Sequence, residues 1–373
     1  MRIRVEKKNL LNAIAPCLGS VATRSASEML SCLHLKCDRE AGKVIVTSFD
    51  YVKGVRCSFD AEIQEEGTLL IDALKFNAMC RALPGEEVTV DADANFNVTL
   101  SAGGAKYEIP GLNGDLFPAM PVLEGDKKFT IPRGVLKKML QQVVFACATV
   151  DTKPILTGVL FEVDENSLRL CGCDGFRLAL RREGGVEGLS MESRFVMPAR
   201  SVIELTKLMG DGDEPIRVEL AFRHVIVAFE EYTFFTRYVD GEYIEYQKSL
   251  PKECKTTVTV PLADALGCFE RCALLIDERA RSPIRFEVTE KGLHVMCRTA
   301  NGKIDEEIPC RVTGEGMLVG FNNRYLLDAL HGAAGAGAEE IVMELNTPYT
   351  SMVIRSPERD DFLYVVVPMR LTT

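Results

Sequence analysis

Lysine and arginine side chains recur on six segments that have the spacing of amphipathic helices: residues 7–18, 72–83, 132–146, 198–209, 261–275 and 322–331. These segments carry 11 Lys or Arg residues against 5 Asp or Glu residues, although the whole chain has a formal net charge of −10. Basic surfaces of this kind bind phosphate groups without regard to base sequence. The helices therefore predict contact with a nucleic-acid backbone. The alternative is that short helices simply place lysine on their solvated faces.

The other reactive residues do not have the spacing of a catalytic or metal site. The chain contains no HExxH motif, no Walker A motif and no GxGxxG motif after a strand. The closest cysteines are Cys171 with Cys173 and Cys268 with Cys272, and the four histidines are isolated from one another. We therefore expect no enzymatic activity, no catalytic residue, no metal and no cofactor. The 13 cysteines are interpreted as small buried residues in a reducing cytosol.

Aromatic residues do not interleave with the basic ones, and the chain has no tryptophan. Proteins that bind single-stranded nucleic acid usually stack its bases on aromatic side chains. The composition therefore favours contact with the backbone of a duplex.

A hairpin pattern occurs three times and positions these helices in the chain. Each copy has an alternating apolar strand, a polar turn and a second alternating strand, in residues 44–55, 168–182 and 293–304. The first strands begin 124 and 125 residues apart, which indicates three repeats. Asp174-Gly175 is the clearest turn signal, because glycine accepts a positive φ without a steric clash.

Each repeat also contains two pairs of a strand followed by a helix, and further alternating strands close it. The fold class expected is α+β, with three tandem domains in which helices cover one face of antiparallel sheets. Polar, turn-rich stretches separate three predicted domains, which comprise residues 1–124, 125–252 and 253–373. The glycine-rich run 332–337 is predicted to be a flexible loop.

The chain has 373 residues, and no apolar run reaches the roughly 18 residues that a membrane helix needs. Its first residues, MRIRVEKKNLL, interleave charged and apolar side chains and do not have the hydrophobic core of a secretory signal. We expect a cytoplasmic protein that does not interact with membranes.

Three motifs, together with the threefold repeat, resemble one known family. They are Asp174–Leu178 (DGFRL), Val239–Gly241 leading to Leu250–Lys252, and Tyr364–Leu371 (YVVVPMRL). Over residues 1–371 the chain resembles the bacterial DNA polymerase III beta subunit, the sliding clamp family. The resemblance implies a homodimeric ring whose helices surround duplex DNA without reading its sequence. It also implies binding of the polymerase catalytic subunit, the clamp loader and other peptides that carry a clamp-binding motif.

The family places a peptide pocket between the second and third repeats. Carried over residue by residue, the resemblance implies these lining residues: Leu156, Cys173, Gly175, Phe176, Arg177, Leu178, Ile244, Ser351, Val365, Val367, Pro368, Met369, Arg370 and Leu371. Cys173, Phe176 and Ile244 stand where the family often has Thr, His and Pro, and Thr372-Thr373 extend beyond the usual last residue. These departures concern the shape of the pocket.

Two further sets of residues follow from the resemblance. The expected DNA-binding residues are Arg24, Lys75, Arg81, Lys137, Arg200 and Lys207. The expected dimer interface contains Tyr107 and Ile109 of the first repeat and Leu274 and Leu275 of the third. A scaffold that binds peptides and never touches DNA is the alternative function, and the basic helices argue against it.

Overall fold

The computed structural model describes residues 1–22, 27–121, 124–125, 127–150, 152–186, 192–230, 232–276 and 282–371. Six α-helices lie in these ranges: α1 (Lys7–Cys17), α2 (Ala73–Ala82), α3 (Arg133–Gln141), α4 (Ala199–Leu208), α5 (Leu262–Ala273) and α6 (Asn323–Gly335). All six were predicted from their apolar spacing. In α3, for example, the buried side chains are Leu136, Met139 and Leu140, whereas Lys138 on the opposite face is exposed.

The described ranges also contain 27 strands. The first repeat forms β1 (Arg2–Glu6), β2 (Cys32–Asp38), β3 (Lys43–Phe49), β4 (Lys53–Asp60), β5 (Glu62–Glu65), β6 (Thr68–Asp72), β7 (Glu87–Ala92), β8 (Asn97–Ala102), β9 (Ala105–Pro110) and β10 (Leu112–Asn113). The second forms β11 (Lys127–Pro132), β12 (Gly158–Val163), β13 (Ser167–Cys173), β14 (Arg177–Gly184), β15 (Ser193–Pro198), β16 (Pro215–Ala221), β17 (His224–Ala228) and β18 (Tyr232–Arg237). The third forms β19 (Thr256–Pro261), β20 (Ile284–Thr289), β21 (Gly292–Thr299), β22 (Gly302–Ile308), β23 (Arg311–Gly314), β24 (Met317–Phe321), β25 (Glu340–Leu345), β26 (Met352–Arg355) and β27 (Phe362–Val366).

The chain forms two compact units, and the first comprises Met1–Ile131 and Glu214–Tyr238. It contains a five-stranded sheet in the order β5-β1-β7-β8-β9. It also contains a nine-stranded sheet in the order β10-β6-β2-β3-β4-β18-β17-β16-β11. Helix α1 packs on β3 and β4 and beside α2. In the nine-stranded sheet, strand β18 of the second repeat pairs antiparallel with β4 of the first.

The second unit comprises Pro132–Asp213 and Val239–Thr373. Its nine-stranded sheet has the order β15-β12-β13-β14-β27-β26-β25-β19-β23, and its four-stranded sheet has the order β22-β21-β20-β24. Here β27 of the third repeat pairs antiparallel with β14 of the second. Helix α3 packs beside α4, and α5 packs beside α6. Antiparallel sheets with helices on one face are the α+β architecture that the sequence predicted.

Two helices end at positions that the sequence analysis did not predict. Helix α3 ends at Gln141 instead of Ala146 because the next backbone segment packs closely on β13. A Cβ atom on Gly172 would lie 2.2 Å from the Val143 carbonyl oxygen. Residues Val144–Ala146 form a separate 3-10 turn.

The prediction of a loop at residues 332–337 was wrong, because α6 continues to Gly335. Gly332 is buried against β27, and a Cβ atom there would lie 2.5 Å from the Tyr364 hydroxyl. The small residues therefore let the helix approach the sheet. Gly337, with a φ of +82°, follows the end of the helix, where the Ala338 and Gly337 amides donate to the Ala333 and Ala334 carbonyls. These two bonds form a Schellman motif.

Among the described residues, no helix combines the length and the apolar character required to cross a membrane.

One histidine of the four-stranded sheet links three strands through their acidic side chains. His294 on β21 bonds through Nδ1 to Glu287 on β20 (3.2 Å) and through Nε2 to Asp305 on β22. The hydrogen bond to Asp305, and to a smaller extent that to Glu287, raises the pKa of His294 above its ordinary value of 6.5. The folded state favours the protonated imidazole. The interactions of His294 with the two carboxylates therefore contribute stability that is present below pH 6.5 and is lost as the pH rises through the raised pKa.

We expect His294→Gln to lower the free energy of unfolding in mildly acidic solution and to have little effect in alkaline solution, where wild-type His294 is also neutral. Urea unfolding of both proteins across this range would measure the difference. A constant difference at every pH would show that His294 acts through packing and not through its charge. His224→Gln is the matched control at another histidine of a strand.

Candidate functional site

The turn between β13 and β14 is built around the carboxylate of Asp174. Its Oδ1 accepts hydrogen bonds from the amides of Phe176 (2.8 Å) and Arg177 (2.9 Å), and its Oδ2 pairs with Arg177 Nε at 3.0 Å. Gly175 has a φ of +91°, as the sequence predicted for this position. The turn includes Phe176, so β14 begins at Arg177 and not at Phe176. Phe176 is left 61% exposed on a turn whose backbone is fixed.

The C-terminal tail, whose described part is Val367–Leu371, joins this turn to β24, the strand that precedes α6. The Val367 amide donates to the Phe176 carbonyl at 2.9 Å. After Pro368, which has no amide proton to donate, the Met369 amide donates to the Gly320 carbonyl of β24 at 2.8 Å. Leu371 also lies against Gly320. The tail is half-buried apart from Arg370, which is exposed. The tail was predicted beside the hairpin, and its first residue, Val367, hydrogen-bonds to the hairpin backbone.

A hydrophobic cluster lies behind the turn. Four of the residues assigned to the pocket by resemblance are buried in it: Leu156, Cys173, Leu178 and Val365. Ile244 packs against this cluster and is partly buried. Tyr246 lies two residues after Ile244, and the Tyr246 hydroxyl donates to Glu162 Oε2 at 2.6 Å. These residues form a firm base for the turn and the tail.

A cleft of about 940 Å³ opens beside the turn. One wall contains six of the predicted residues: Phe176, Arg177, Val367, Pro368, Met369 and Arg370. Further lining comes from the segment after α5 and from α6 with its N-cap residue, and it includes Ile276, Asn322, Tyr325, Asp328 and His331. Among the other predicted residues, Gly175 is in the turn, Ser351 is half-buried before β26, and Leu371 is the last described residue of the tail. Thr372 and Thr373 lie outside the described residues.

The α6 wall was missed by sequence reasoning. Tyr325 and Asp328 are three residues apart, so they share one face of the helix, and this spacing was the only signal available. Arg177 of the hairpin contacts both of these residues, and its side chain is 9% exposed. The guanidinium pairs with both Asp174 and Asp328, and its Cζ lies 4.4 Å from the centre of the Tyr325 ring. A cation–π contact of this kind adds to the two ion pairs.

The basic residues predicted to meet DNA lie on helices, apart from Arg24, which lies outside the described residues. Lys75 and Arg81 on α2 and Arg200 on α4 are exposed. Lys207 on α4 is also exposed and lies 3.3 Å from Glu204. Lys137 on α3 is half-buried, and its Nζ is 2.7 Å from Asp211 Oδ1, which lowers the pKa of that carboxyl. The charge of Lys137 is therefore partly compensated within the chain.

The residues predicted at the dimer interface lie on or near the edge strands of two sheets. Tyr107 and Ile109 are half-buried on β9, which is the edge of the five-stranded sheet. Leu274 and Leu275 follow the end of α5, and Leu274 is 83% exposed. The Leu275 carbonyl accepts a hydrogen bond at 2.9 Å from Oγ1 of Thr299, the last residue of β21. Strand β22 is the edge of the four-stranded sheet.

The cysteines lie mainly in the core. Eleven of the thirteen are buried, and only Cys254 is exposed. Burial raises the pKa of the Cys37 thiol to about 11 and that of Cys80 to about 12, so both remain neutral near pH 7. Within the described ranges, no group of three or more His, Cys, Asp or Glu side chains is arranged to hold a metal ion.

Three repeats of two helices and antiparallel strands, joined by pairing between repeats, define a clamp fold. Three family models match the chain in succession: DNA polymerase III beta subunit N-terminal domain (residues 1–121), central domain (130–245) and C-terminal domain (247–370). The beta sliding clamp of Halalkalibacterium halodurans is 29% identical over 317 residues, with 83% of this chain and 82% of that protein covered. The beta sliding clamp of Escherichia coli K12 is 27% identical over the full length of both chains.

A crystal structure of a putative DNA polymerase III beta subunit from Eubacterium rectale is 28% identical and has a TM-score of 0.95 over all of both chains. The chain belongs to the DNA polymerase III beta subunit family. Its function is that of a processivity clamp in DNA replication, which is a non-catalytic role.

The turn geometry gives a direct prediction at Gly175. An L-residue with this positive φ is strained, so Gly175→Ala should lower the free energy of unfolding by about 1–2 kcal/mol. Gly184 at the end of β14 is the matched control, since its φ is ordinary and an added Cβ meets no atom within 4 Å. Denaturant unfolding of the two variants measures the difference. Equal effects would mean that the strain at Gly175 contributes nothing.

Proposed function

We propose that two copies of the chain form a head-to-tail ring around duplex DNA and that the cleft tethers the replicative polymerase and other partners. The observation that carries the proposal is the repeated pairing between the last long strand of one repeat and the hairpin of the repeat before it. Strand β18 pairs with β4, and β27 pairs with β14. The equivalent strand of the first repeat is β9, whose partner among the described strands is β8 alone.

The complementary edge belongs to the third repeat. Its hairpin strand β22, the counterpart of β4 and β14, pairs with β21 alone among the described strands. One chain therefore has one free edge of each kind. An unpaired edge strand readily accepts another strand. Pairing of β9 with β22 of a second copy satisfies both edges at two equivalent seams and closes a dimer.

The two internal pairings also give the register of the seam. Thr236 lies opposite Lys53, and Val366 lies opposite Arg177. Leu112, Val239 and Met369 occupy equivalent positions, since each pairs with the strand before the second helix of its own repeat. Thr236 and Val366 lie three residues before Val239 and Met369. The equivalent residue of β9 lies three residues before Leu112 and is Ile109. The counterpart of Lys53 and Arg177 is Gly302. Ile109 therefore aligns with Gly302 of the partner subunit.

This register places opposite charges across the seam. Moving along the antiparallel strands, Glu108 aligns with Lys303 of the partner subunit, and Lys106 aligns with Asp305 of the partner subunit. Tyr107 aligns with Ile304 of the partner subunit on the other face, and the exposed Leu274 supplies further apolar surface beside the start of β22. In the single chain Lys106 pairs with Glu108 and Asp305 pairs with His294, so formation of the seam changes the partners of charges that are already paired.

We expect charge reversal to test this register. Lys303→Glu places two carboxylates opposite each other, which costs up to about 1 kcal/mol at each seam. A twofold dimer contains the seam twice, so the dissociation constant of the dimer should rise about 30-fold. Glu108→Lys should have the same effect, and the double variant should recover the wild-type value. Sedimentation distinguishes the 41.2 kDa chain from a particle of twice that mass.

Two further variants complete this test. Changing Leu274 and Leu275 together to serine should give monomers, and Lys291→Glu is a control at an exposed lysine in the turn before β21. A double charge reversal that dissociates more than either single variant would contradict the proposed register. A wild-type chain that sediments as a monomer would contradict the ring.

The exposed basic side chains on the helices support contact with phosphate groups of the enclosed duplex. Such contacts are weak, independent of sequence and sensitive to salt, and closure of the ring supplies the retention. The decisive experiment loads the protein on a nicked circular plasmid with a clamp loader and then linearises the plasmid. Release on linearisation supports encirclement, whereas equal retention on both forms contradicts it. Arg24→Ala is expected to reduce loading or retention without changing sequence preference.

The cleft supports binding of short peptides from the polymerase catalytic subunit, the clamp loader and other proteins. Its volume is in the range of known ligand sites, and its walls combine apolar side chains with polar and charged ones. Met369 suits a site with several partners because its side chain is flexible and polarizable. We infer that the protein works in the cytoplasm as three domains, residues 1–124, 125–252 and 253–373.

Removal of Met369–Thr373 should abolish most partner binding and leave the fold and the dimer intact. The deletion removes part of one cleft wall, and loss of a few buried anchors from such an interface costs about 2–4 kcal/mol. Surface plasmon resonance with the polymerase catalytic subunit measures the effect, and the mass of the truncated protein is its control. Unfolding of the truncated chain would show that the tail is structural. Unchanged affinity would place the partner site elsewhere.

A further inference from the structure

Asp328 connects the two walls of the cleft, although it was not among the residues expected to bind partners. It lies one helical turn after Tyr325 on α6, and its carboxylate pairs with Nη1 of Arg177. Arg177 is 151 residues away in the chain and belongs to the hairpin on the other wall. The ion pair therefore ties the hairpin to the helix.

The environment of Arg177 makes this tie important. Its side chain is 9% exposed, so the guanidinium is largely removed from water. A buried charge is strongly destabilised when one of its partners is lost. Asp174 belongs to the same turn as Arg177 and moves with it. In the described part of the chain, the Arg177 side chain reaches beyond its own turn to Asp328, to the Tyr325 ring and to the Phe145 ring.

The position of this turn fixes the exposed part of the cleft wall. Arg177 directly follows Phe176, whose carbonyl holds the Val367 amide at 2.9 Å. A shift of Arg177 would therefore move both the exposed Phe176 ring and the start of the tail. A cleft whose walls are fixed before binding avoids the cost of ordering them when a peptide enters.

We propose that Asp328 is a positioning residue for partner binding. It holds Arg177, and through Arg177 it keeps the Phe176 turn and the tail at the distance from α6 that a bound peptide requires. The proposal deepens the function proposed for the cleft and rests on it. The proposal also gives α6 a role in positioning the cleft, whereas the sequence motifs pointed only to the hairpin and the tail.

The first experiment needs no partner. 4-Fluorophenylalanine at position 176 reports the surroundings of the turn through its fluorine NMR signal. Asp328→Ala and the nearly isosteric Asp328→Asn should shift and broaden this signal. Asp264→Ala is the matched control, because Asp264 is an exposed carboxylate in the first turn of α5 that does not line the cleft. An unchanged signal in both Asp328 variants would overturn the proposal.

The second experiment measures affinity for the polymerase catalytic subunit of the same organism by surface plasmon resonance. Asp328→Ala should weaken binding about 10- to 100-fold. The dimer mass and the melting temperature of Asp328→Ala, Asp328→Asn and Asp264→Ala show whether each variant is folded under the conditions of the binding measurement. In a double-mutant cycle, Arg177→Ala with Asp328→Ala should weaken binding no more than Arg177→Ala alone, because Asp328 acts through Arg177. Fully additive losses would overturn this route.

The two experiments separate the possible failures. If the fluorine signal shifts but the wild-type chain does not bind the polymerase, the function proposed for the cleft is wrong while the tie between Asp328 and the turn is real. If wild-type binding is strong and Asp328→Ala binds equally well, the positioning role is wrong and the function of the cleft stands.

Discussion

The rest of the structure depends on backbone hydrogen bonds between consecutive repeats. Strand β18 extends the sheet of β4, and β27 extends the sheet of β14, each in an antiparallel register. Backbone pairing leaves few buried amide and carbonyl groups without partners, so the two nine-stranded sheets do not stop at the limits of the repeats. This explains why strands β16 to β18 belong to the first compact unit while α3 and α4 belong to the second. Among the described strands, it also leaves β9 and β22 with one partner each, at the edges of their sheets.

The repeated hairpin serves different purposes in the two units because a few side chains differ. In the first unit, Asp50 organises the turn as Asp174 does in the second, with its Oδ1 accepting from the amides of Val52 and Lys53. Where the second unit has Leu178 opposite Val365, the first has Gly54 opposite Phe235. A Cβ atom on Gly54 would lie 2.2 Å from the Phe235 ring. The Phe235 ring therefore lies over Gly54, where a side chain would clash, whereas Leu178 and Val365 both belong to the hydrophobic cluster beneath the cleft.

Much of the fold could be predicted from the sequence, because local periodicity determines it. Apolar spacing located all six helices, and the Asp174-Gly175 pair located the central turn. The errors concern residues whose conformation is decided by distant contacts. The end of α3 depends on Gly172, and the extension of α6 depends on the Tyr364 ring above Gly332. The sequence could suggest the hairpin and tail from their motifs, but Asp328 meets Arg177 only through packing across 151 residues.

The Arg177 network shows why a buried charge can be useful at a binding site. A buried ion pair often contributes little net stability, since desolvation offsets much of its attraction. It is nevertheless specific in direction: Nε faces Asp174 in the turn, and Nη1 faces Asp328 on the helix. An apolar side chain of similar volume could fill the same space, but it would allow the turn to slide along α6. Under the proposed function, the cleft accepts different peptides by variation at the flexible Met369, provided that its walls keep a fixed spacing. The ion pair supplies this constraint at the point where the hairpin meets the helix.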